Sequence, residues 1–225
     1  MRQVNNSSVS YHCRPAADWR KGGTRLHLST GCNMQCVHCA TVRALRGENA
    51  LNRTGITIMT ADGALDLVRL KMERAGSSAA VEIGGPGEPL LNADTYVLVR
   101  QLRTTYPDLS ISVRTNGILL SDRLEELVRS GVSGIVLSIS AVSQDAADAL
   151  YDWVIYRGRR YTGRDASHLI LQQQWNGLSN AVNAGVAVTV CCVRIPGVND
   201  HEIDRIKSKA RAAGADRVEL MDPDL

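Results

Sequence analysis

Phenylalanine is missing from this chain, and Trp and Tyr together make up only 4% of its 225 residues. Leu, Val and Ile must therefore build the core, and any local concentration of rings stands out. No apolar run approaches the roughly 20 residues of a membrane-crossing helix, so no span is expected. The stretch Met1–Ser10 is polar and lacks the apolar centre of a secretory signal. The expected setting is therefore the cytoplasm, where thiols stay reduced and a metal cluster can be assembled. A net charge of +3 is too slight to argue for nucleic acid. What remains is a chain long enough for one domain with a real core.

Its densest chemistry is Gly31-Cys32-Asn33-Met34-Gln35-Cys36-Val37-His38-Cys39. Four-iron clusters are held by cysteine thiolates, normally four. Three in one compact run leave one iron without a protein ligand, open to a small molecule. A zinc knuckle wants four ligands and usually a second Cys/His pair. None follows, and Cys191 and Cys192 are adjacent, which suits bidentate capture poorly. The run points to an iron–sulfur cluster; the plain alternative is a loop of reduced structural cysteines.

Hydrophobic periodicity gives alternating strands and helices. Strands are expected near Arg25–Ser29, Ala80–Gly84, Ser110–Thr115, Gly134–Ile139, Ala187–Val193 and Arg217–Leu220. Helices are expected over Ala61–Ala75 (capped by Thr60), Asp94–Thr105, Asp122–Arg129, Leu169–Ala184 and Asp200–Ala213. Gly131, Gly185 and Gly214 stand where helices should stop. Right-handed crossovers imply parallel strands curling into a partial (β/α)6 barrel, with the sixth helix vestigial. The expected organisation is an N-terminal arm over 1–20, partly disordered, and a single barrel domain over 21–225.

Ligands in parallel β/α folds gather at the C-terminal ends of strands. The cysteines follow strand one, Gly84-Gly85-Pro86-Gly87-Glu88 ends strand two, and Thr115-Asn116-Gly117 ends strand three. Ser138 and Ser140 end strand four, and Arg194 to Asn199, with Pro196-Gly197, end strand five. Each has a plainer reading. Thr115-Asn116-Gly117 and Pro196-Gly197 could be simple turns, Ser138 and Ser140 exposed serines, His38 a surface histidine. Their shared rim is what argues for a site.

The segment 151–165 breaks the strand-four connection with rings at Tyr151, Trp153, Tyr156 and Tyr161 and guanidiniums at Arg157, Arg159, Arg160 and Arg164. Arginine forks take carboxylate or phosphate bidentately, and long βα loops tend to be functional. The expectation is a loop serving as lid or wall for a small anionic substrate, with Arg157, Arg159, Arg160, Tyr161 and Arg164 in contact. A solvated basic loop is the alternative.

The Cys-x3-Cys-x2-Cys spacing resembles the radical S-adenosylmethionine (SAM) superfamily. The resemblance implies a [4Fe–4S] cluster on Cys32, Cys36 and Cys39 whose open iron chelates SAM. One electron then cleaves SAM to a 5'-deoxyadenosyl radical. It implies Glu88 with Gly85 and Gly87 at the SAM amino group, Thr115 and Asn116 near its methionyl and ribose groups, and Ser138 and Ser140 at the ribose. Arg194, Gly197 and His38 would complete the cofactor site. A reduced ferredoxin or flavodoxin is the implied electron donor.

Tyr-x-Trp-Val-x-Tyr-x-Gly-Arg-Arg-Tyr-x-Gly-Arg, Cys32-Asn33-x-Gln35-Cys36, Gly85-Pro86-Gly87-Glu88-Pro89-Leu90 and Ile195-Pro196-Gly197-Val198-Asn199-Asp200 resemble the NifB-like branch. That branch builds a nitrogenase-cofactor precursor from additional clusters, with a SAM methyl group as carbide source, and it needs extra ligands. Here Ala40 to Asn49 holds no cysteine, and Ser112 stands where the branch has one. Cys13, His27 and Cys191 are the candidates left. Two readings follow: a one-cluster radical SAM enzyme acting on a small anionic substrate, or a NifB-type maturase. A non-catalytic metal-binding module that kept the fold is a third.

Overall fold

A computed structural model describes residues 23–39, 57–75 and 80–221. The expected arm over 1–20 and Cys13 lie outside them. Six strands form one parallel sheet in the order β1-β3-β4-β5-β8-β9. They are β1 (Thr24–His27), β3 (Ala80–Gly84), β4 (Ser110–Thr115), β5 (Gly134–Ser138), β8 (Ala187–Val193) and β9 (Arg217–Met221). The helices between them are α1 (Ala61–Ala75), α2 (Ala93–Thr105), α3 (Leu120–Ser130), α4 (Gln144–Leu150), α5 (Gly163–Asn183) and α6 (Ile203–Ala212). Neighbours follow chain order, so the sheet winds one way into the partial barrel.

Alternation decides which side is which. Ile83, Ile111, Val113, Leu137 and Val190 are fully buried in one cluster with Leu98, Leu102, Leu127 and Leu178 from the helices. Each such side chain contributes about 1.5–3 kcal/mol by leaving water. The intervening residues, Arg25, Glu82, Ser112, Arg114, Ser138 and Cys191, are tied by register to the opposite, inner face. The expected helix signals hold: Thr60 Oγ1 accepts from the Gly63 N–H at 3.2 Å. Gly131 closes α3 at φ 93° with its N–H on Leu127 and Val128 carbonyls.

The segment 151–165 differs from the expected loop. It is a hairpin of β6 (Tyr151–Tyr156) and β7 (Arg159–Thr162), then the start of α5. Arg157 and Gly158, at φ 49° and 76°, make the two-residue turn whose twist suits a hairpin. The hairpin pairs with a further strand, β2 (Met34–Cys36), inside the cysteine run. The reason is satisfaction of the backbone: β2 alone would leave its polar groups without partners. Its buried side packs Val154 and Tyr151 on Met34, Ile118 and Ile170.

Candidate active site

The cysteine run is held from two sides. From the hairpin, Gln35 lies opposite Trp153 and Cys36 opposite Tyr151, with Asp152 forming the irregularity between. Val37 N–H donates to Leu150 O at 3.0 Å, and Ile155 N–H to Asn33 O at 2.6 Å. Gln35 Nε2 donates to Asp152 Oδ2 at 2.8 Å, and Trp153 Nε1 to Gln35 Oε1 at 2.7 Å. From the barrel, the turn after β3 lies flush against Ser29–Gly31. Gly87 N–H donates to Ser29 O at 3.0 Å and Glu88 N–H to Gly31 O at 2.8 Å. A Cβ on Gly85 would sit 2.7 Å from Ser29 O, and one on Gly87 2.3 Å from Gly31 O. Glycine is required at both for this approach.

Glu88 is turned inward, only 1% exposed. Its Oε1 accepts from Thr115 Oγ1 at 2.7 Å and Leu90 N–H at 3.0 Å, and its Oε2 from Asn116 N–H at 2.7 Å. Burial pushes its carboxyl up to about 7, and the three donors pull the other way. Through these bonds Glu88 locks the end of β4 to the end of β3. Asn116 carries the link onward. Its Nδ2 donates to Asn33 Oδ1 at 2.8 Å and lies 3.6 Å from Cys32 Sγ. Its carbonyl accepts from Gln174 at 3.1 Å. Asn33 belongs to the Cys32-Asn33-x-Gln35-Cys36 motif, whereas nothing local in the sequence marks Gln174.

Cys32 is exposed, Cys36 and Cys39 half-buried. Although Cys32 is exposed as a residue, neighbouring atoms crowd its sulfur, and that desolvation raises the thiol to about 11. Burial also holds Cys36 well above the thiol range, with Cys32 and Cys39 adding to the shift, so the three sulfurs sense one another's charge. Among the described residues no three His, Cys, Asp or Glu side chains close on a single metal ion. A four-iron cluster does not ask for that, because each thiolate binds a different iron. The donor set fits such a cluster: three soft thiols in one loop. Ligation removes the desolvation cost that raises Cys32 and Cys36, since bound iron neutralises the thiolate. His38 is held below the ordinary imidazole range by burial, and its Nδ1 is buried with no partner among the described residues.

Farther along the rim, Ser138 ends β5 opposite Cys191. Ser140 lies further in, 3% exposed. Its Oγ accepts from Val193 N–H at 3.1 Å and its carbonyl from Asn199 Nδ2 at 2.8 Å, deep inside the β5–β8 junction. Arg194 and Gly197 lie exposed after β8, Gly197 at φ 77°. The hairpin arginines are all exposed. Arg157 pairs with Asp122 at 2.9 Å and Arg164 with Asp148 at 3.3 Å. Arg159 stacks on Tyr161 and Arg160 on Trp153.

The inner face holds charge that the sequence reading passed over. Buried Glu82 is ion-paired with Arg25 at 2.9 Å and accepts from Arg114 Nε at 3.0 Å. His27, at the end of β1, is lowered by burial and by Arg25. Cys191 Sγ lies 3.0 Å from Met221 Sδ, and Arg114 Nη1 is 3.9 Å from that Sδ. The available signal is alternation, clearest at Val81-Glu82-Ile83; Arg25 and Arg114 each have a threonine on one side and an apolar residue on the other.

These features define a parallel β/α partial barrel with a three-cysteine loop at its rim. The sequence profile of the Radical SAM superfamily matches residues 26–210, and the chain belongs to that superfamily, whose enzymes use a [4Fe–4S] cluster and SAM. Within it, the chain is 32% identical over 196 residues to the FeMo cofactor biosynthesis protein NifB of Klebsiella pneumoniae, covering 85% of this chain and 41% of that protein. NifB of Chlorobaculum tepidum is 32% identical over 197 residues, covering 85% and 46%. The chain thus spans less than half the length of these relatives. The Streptococcus suis SuiB structure bound to S-adenosylmethionine shares the fold at a TM-score of 0.61 and 16% identity, covering 88% of this chain and 38% of SuiB. No described helix is long and apolar enough to cross a membrane.

Proposed function

We propose that this chain is a radical SAM enzyme holding one four-iron cluster on Cys32, Cys36 and Cys39 and acting on a small anionic molecule. What carries the reading is that the cysteine loop, the Gly85–Glu88 turn and Thr115–Gly117 are hydrogen-bonded to one another at one end of a parallel sheet. A cluster held there would supply the one electron for reductive SAM cleavage and so the radical chemistry at substrate carbon.

The chain's own residues prepare that event. The three thiols give up their protons on ligation. Gly85 and Gly87 let the backbone close on the cysteine loop, and Glu88 fixes Thr115 and Asn116 as a positioning residue. Ser138, Arg194 and Gly197 are assigned to the nucleoside end of SAM, and His38 to the flank of the cluster as a neutral ring. Ser140 is assigned to holding the loop after β8. The substrate's anionic group is assigned to the inner layer, where two guanidiniums share the Glu82 carboxylate and forked recognition is available. On the hairpin, Arg157 and Arg164 are paired with Asp122 and Asp148, while Arg159, Arg160 and Tyr161 remain the candidates there for a second contact to the anionic group. The reductant is a one-electron carrier, for which ferredoxin or flavodoxin serves.

The test is anaerobic reconstitution followed by dithionite-driven SAM cleavage to 5'-deoxyadenosine. Wild type should cleave; Cys36→Ala should neither hold iron nor cleave. A Cys36→Ala protein that cleaves SAM would sink the assignment. The NifB-type maturase is the second reading, favoured by the likeness over 196 residues and by Cys191 and Arg25-flanked His27 beside the inner face. Against it, Ser112 Oγ donates to Val81 O at 3.3 Å within the sheet. Iron content separates the two, about four per chain against about twelve.

A further inference from the structure

We propose that the side-chain amides of Asn33 and Asn116 donate hydrogen bonds to sulfurs of the cluster and thereby raise its reduction potential. This rests on the radical SAM reading above. One backbone donor fixes the direction of both amides. Ile118 N–H donates to Asn116 Oδ1 at 3.0 Å, so that oxygen is taken and Asn116 Nδ2 is turned toward the cysteine loop. There it meets Asn33 Oδ1 at 2.8 Å and Cys32 Sγ at 3.6 Å. An amide nitrogen carries two N–H bonds and accepts none, so Asn116 has one donor for each. Asn33 must present its oxygen to Asn116, and its own Nδ2 is left as a donor.

That donor is the second observation. Asn33 is only 4% exposed, and among the described residues its Nδ2 is buried without a hydrogen-bond partner. The backbone there is held, because Asn33 O accepts from Ile155 N–H at 2.6 Å. A buried donor left unmade costs more than an ordinary hydrogen bond gains, so its acceptor has to be identified. The acceptor that fits belongs to the neighbouring residue's own chemistry. Thiolate and sulfide sulfurs of a four-iron cluster are anionic, and hydrogen bonds to them help set its potential. Cys32 Sγ already takes one such bond from Asn116. On reduction the cluster gains one electron and the amide protons stay on nitrogen. Bonds to the more negative state are the stronger ones, so the reduced cluster is favoured. The two amides thus set how readily the cluster takes its electron and how readily it gives that electron up.

The experiment uses the cluster-loaded chain without SAM, reduced at a controlled electrode potential. Its asparagines are isotopically labelled at the side-chain nitrogen only. Pulsed EPR of the reduced cluster reads any labelled nitrogen bonded through hydrogen to a sulfur, and a redox titration gives the potential. Asn33→Leu and Asn116→Leu are compared with Asn176→Leu, an exposed site on α5. Expected are two distinct nitrogen couplings in wild type, one of them lost in each of the first two variants. Each of these variants should also lower the reduced-to-oxidised ratio at fixed potential about tenfold, a shift of about 59 mV for one electron. Asn176→Leu should match wild type in both readouts. A wild-type cluster showing fewer than two couplings would overturn the proposal, and that spectrum decides alone if a variant fails to fold or to load. Couplings undiminished in Asn33→Leu, an unchanged potential, or an equal shift in Asn176→Leu would overturn it as well. A wild-type chain that assembles no four-iron cluster would defeat the enzyme reading and this inference together, whereas a cluster lacking the couplings defeats this inference alone.

Discussion

Replacing Gly87 by Ala tests the contact that seats the cysteine loop on the barrel. The new Cβ would lie 2.3 Å from Gly31 O, 2.6 Å from Thr30 C and 2.8 Å from Gly31 N, all backbone atoms. No flexible side chain can yield, so the two loops must part by roughly 0.7 Å to reach a 3.0 Å contact in a close-packed site. Overpacking of this kind costs about 1–3 kcal/mol. Parting also lengthens the bonds from Gly87 N–H to Ser29 O and from Glu88 N–H to Gly31 O, each worth about 1 kcal/mol. A loss of about 3 kcal/mol lowers the melting temperature of a domain this size by about 6–12 °C. Thermal and urea unfolding of wild type, Gly87→Ala and Gly31→Ala measure it. Gly31 is the internal control, because a Cβ there meets nothing within 4 Å, so Gly31→Ala should stay within about 0.5 kcal/mol. Equal stability of Gly87→Ala and wild type would refute the reasoning.

Glu88→Gln turns an amide N–H toward either the Asn116 N–H or the donors on Oε1, and should cost about 1–3 kcal/mol in urea unfolding. A carboxyl raised to about 7 in the fold favours folding most below the ordinary carboxylate range. Its contribution is lost as pH rises to about 7, so the variant should lack that part of the wild-type stability–pH curve. Glu82→Gln removes the carboxylate shared by Arg25 and Arg114 and should destabilise by about 3–5 kcal/mol. Its iron content, measured on the folded fraction, should remain at the wild-type level. Gln35→Leu removes the hydrogen bonds to Asp152 and Trp153. It should lower the unfolding midpoint by about 1–2 kcal/mol in stability and speed iron loss to a chelator; unchanged chelation kinetics would remove the hairpin from the holding of the loop.

The barrel strands were legible because each is an apolar run next to a helical stripe, and their ends agree with the expected ranges within about two residues. The small sheet was not. β2 has three residues, too few for alternation to speak. Its partner lies more than a hundred positions away, and Asp152 breaks the period in β6. A usable signal was present in Arg157-Gly158 between Tyr-Asp-Trp-Val-Ile-Tyr and Arg-Arg-Tyr-Thr, strand-forming residues flanking a glycine turn. The density of arginine and rings invited a lid reading instead. The rim motifs of the site were legible as motifs, but the direction of a side chain was not. Glu88 and Ser140 turn inward because their burial requires donors for every lone pair they bring. The Arg25–Glu82–Arg114 layer follows from alternation only once the register of β1, β3 and β4 is fixed.

The most direct measurement is iron, sulfide and zinc per chain after anaerobic reconstitution, on wild type and on Cys36→Ala in parallel. The account predicts about four irons and about four sulfides per wild-type chain and a collapse of both in the variant. Stoichiometric zinc with little iron, or iron that survives the loss of Cys36 undiminished, would contradict it.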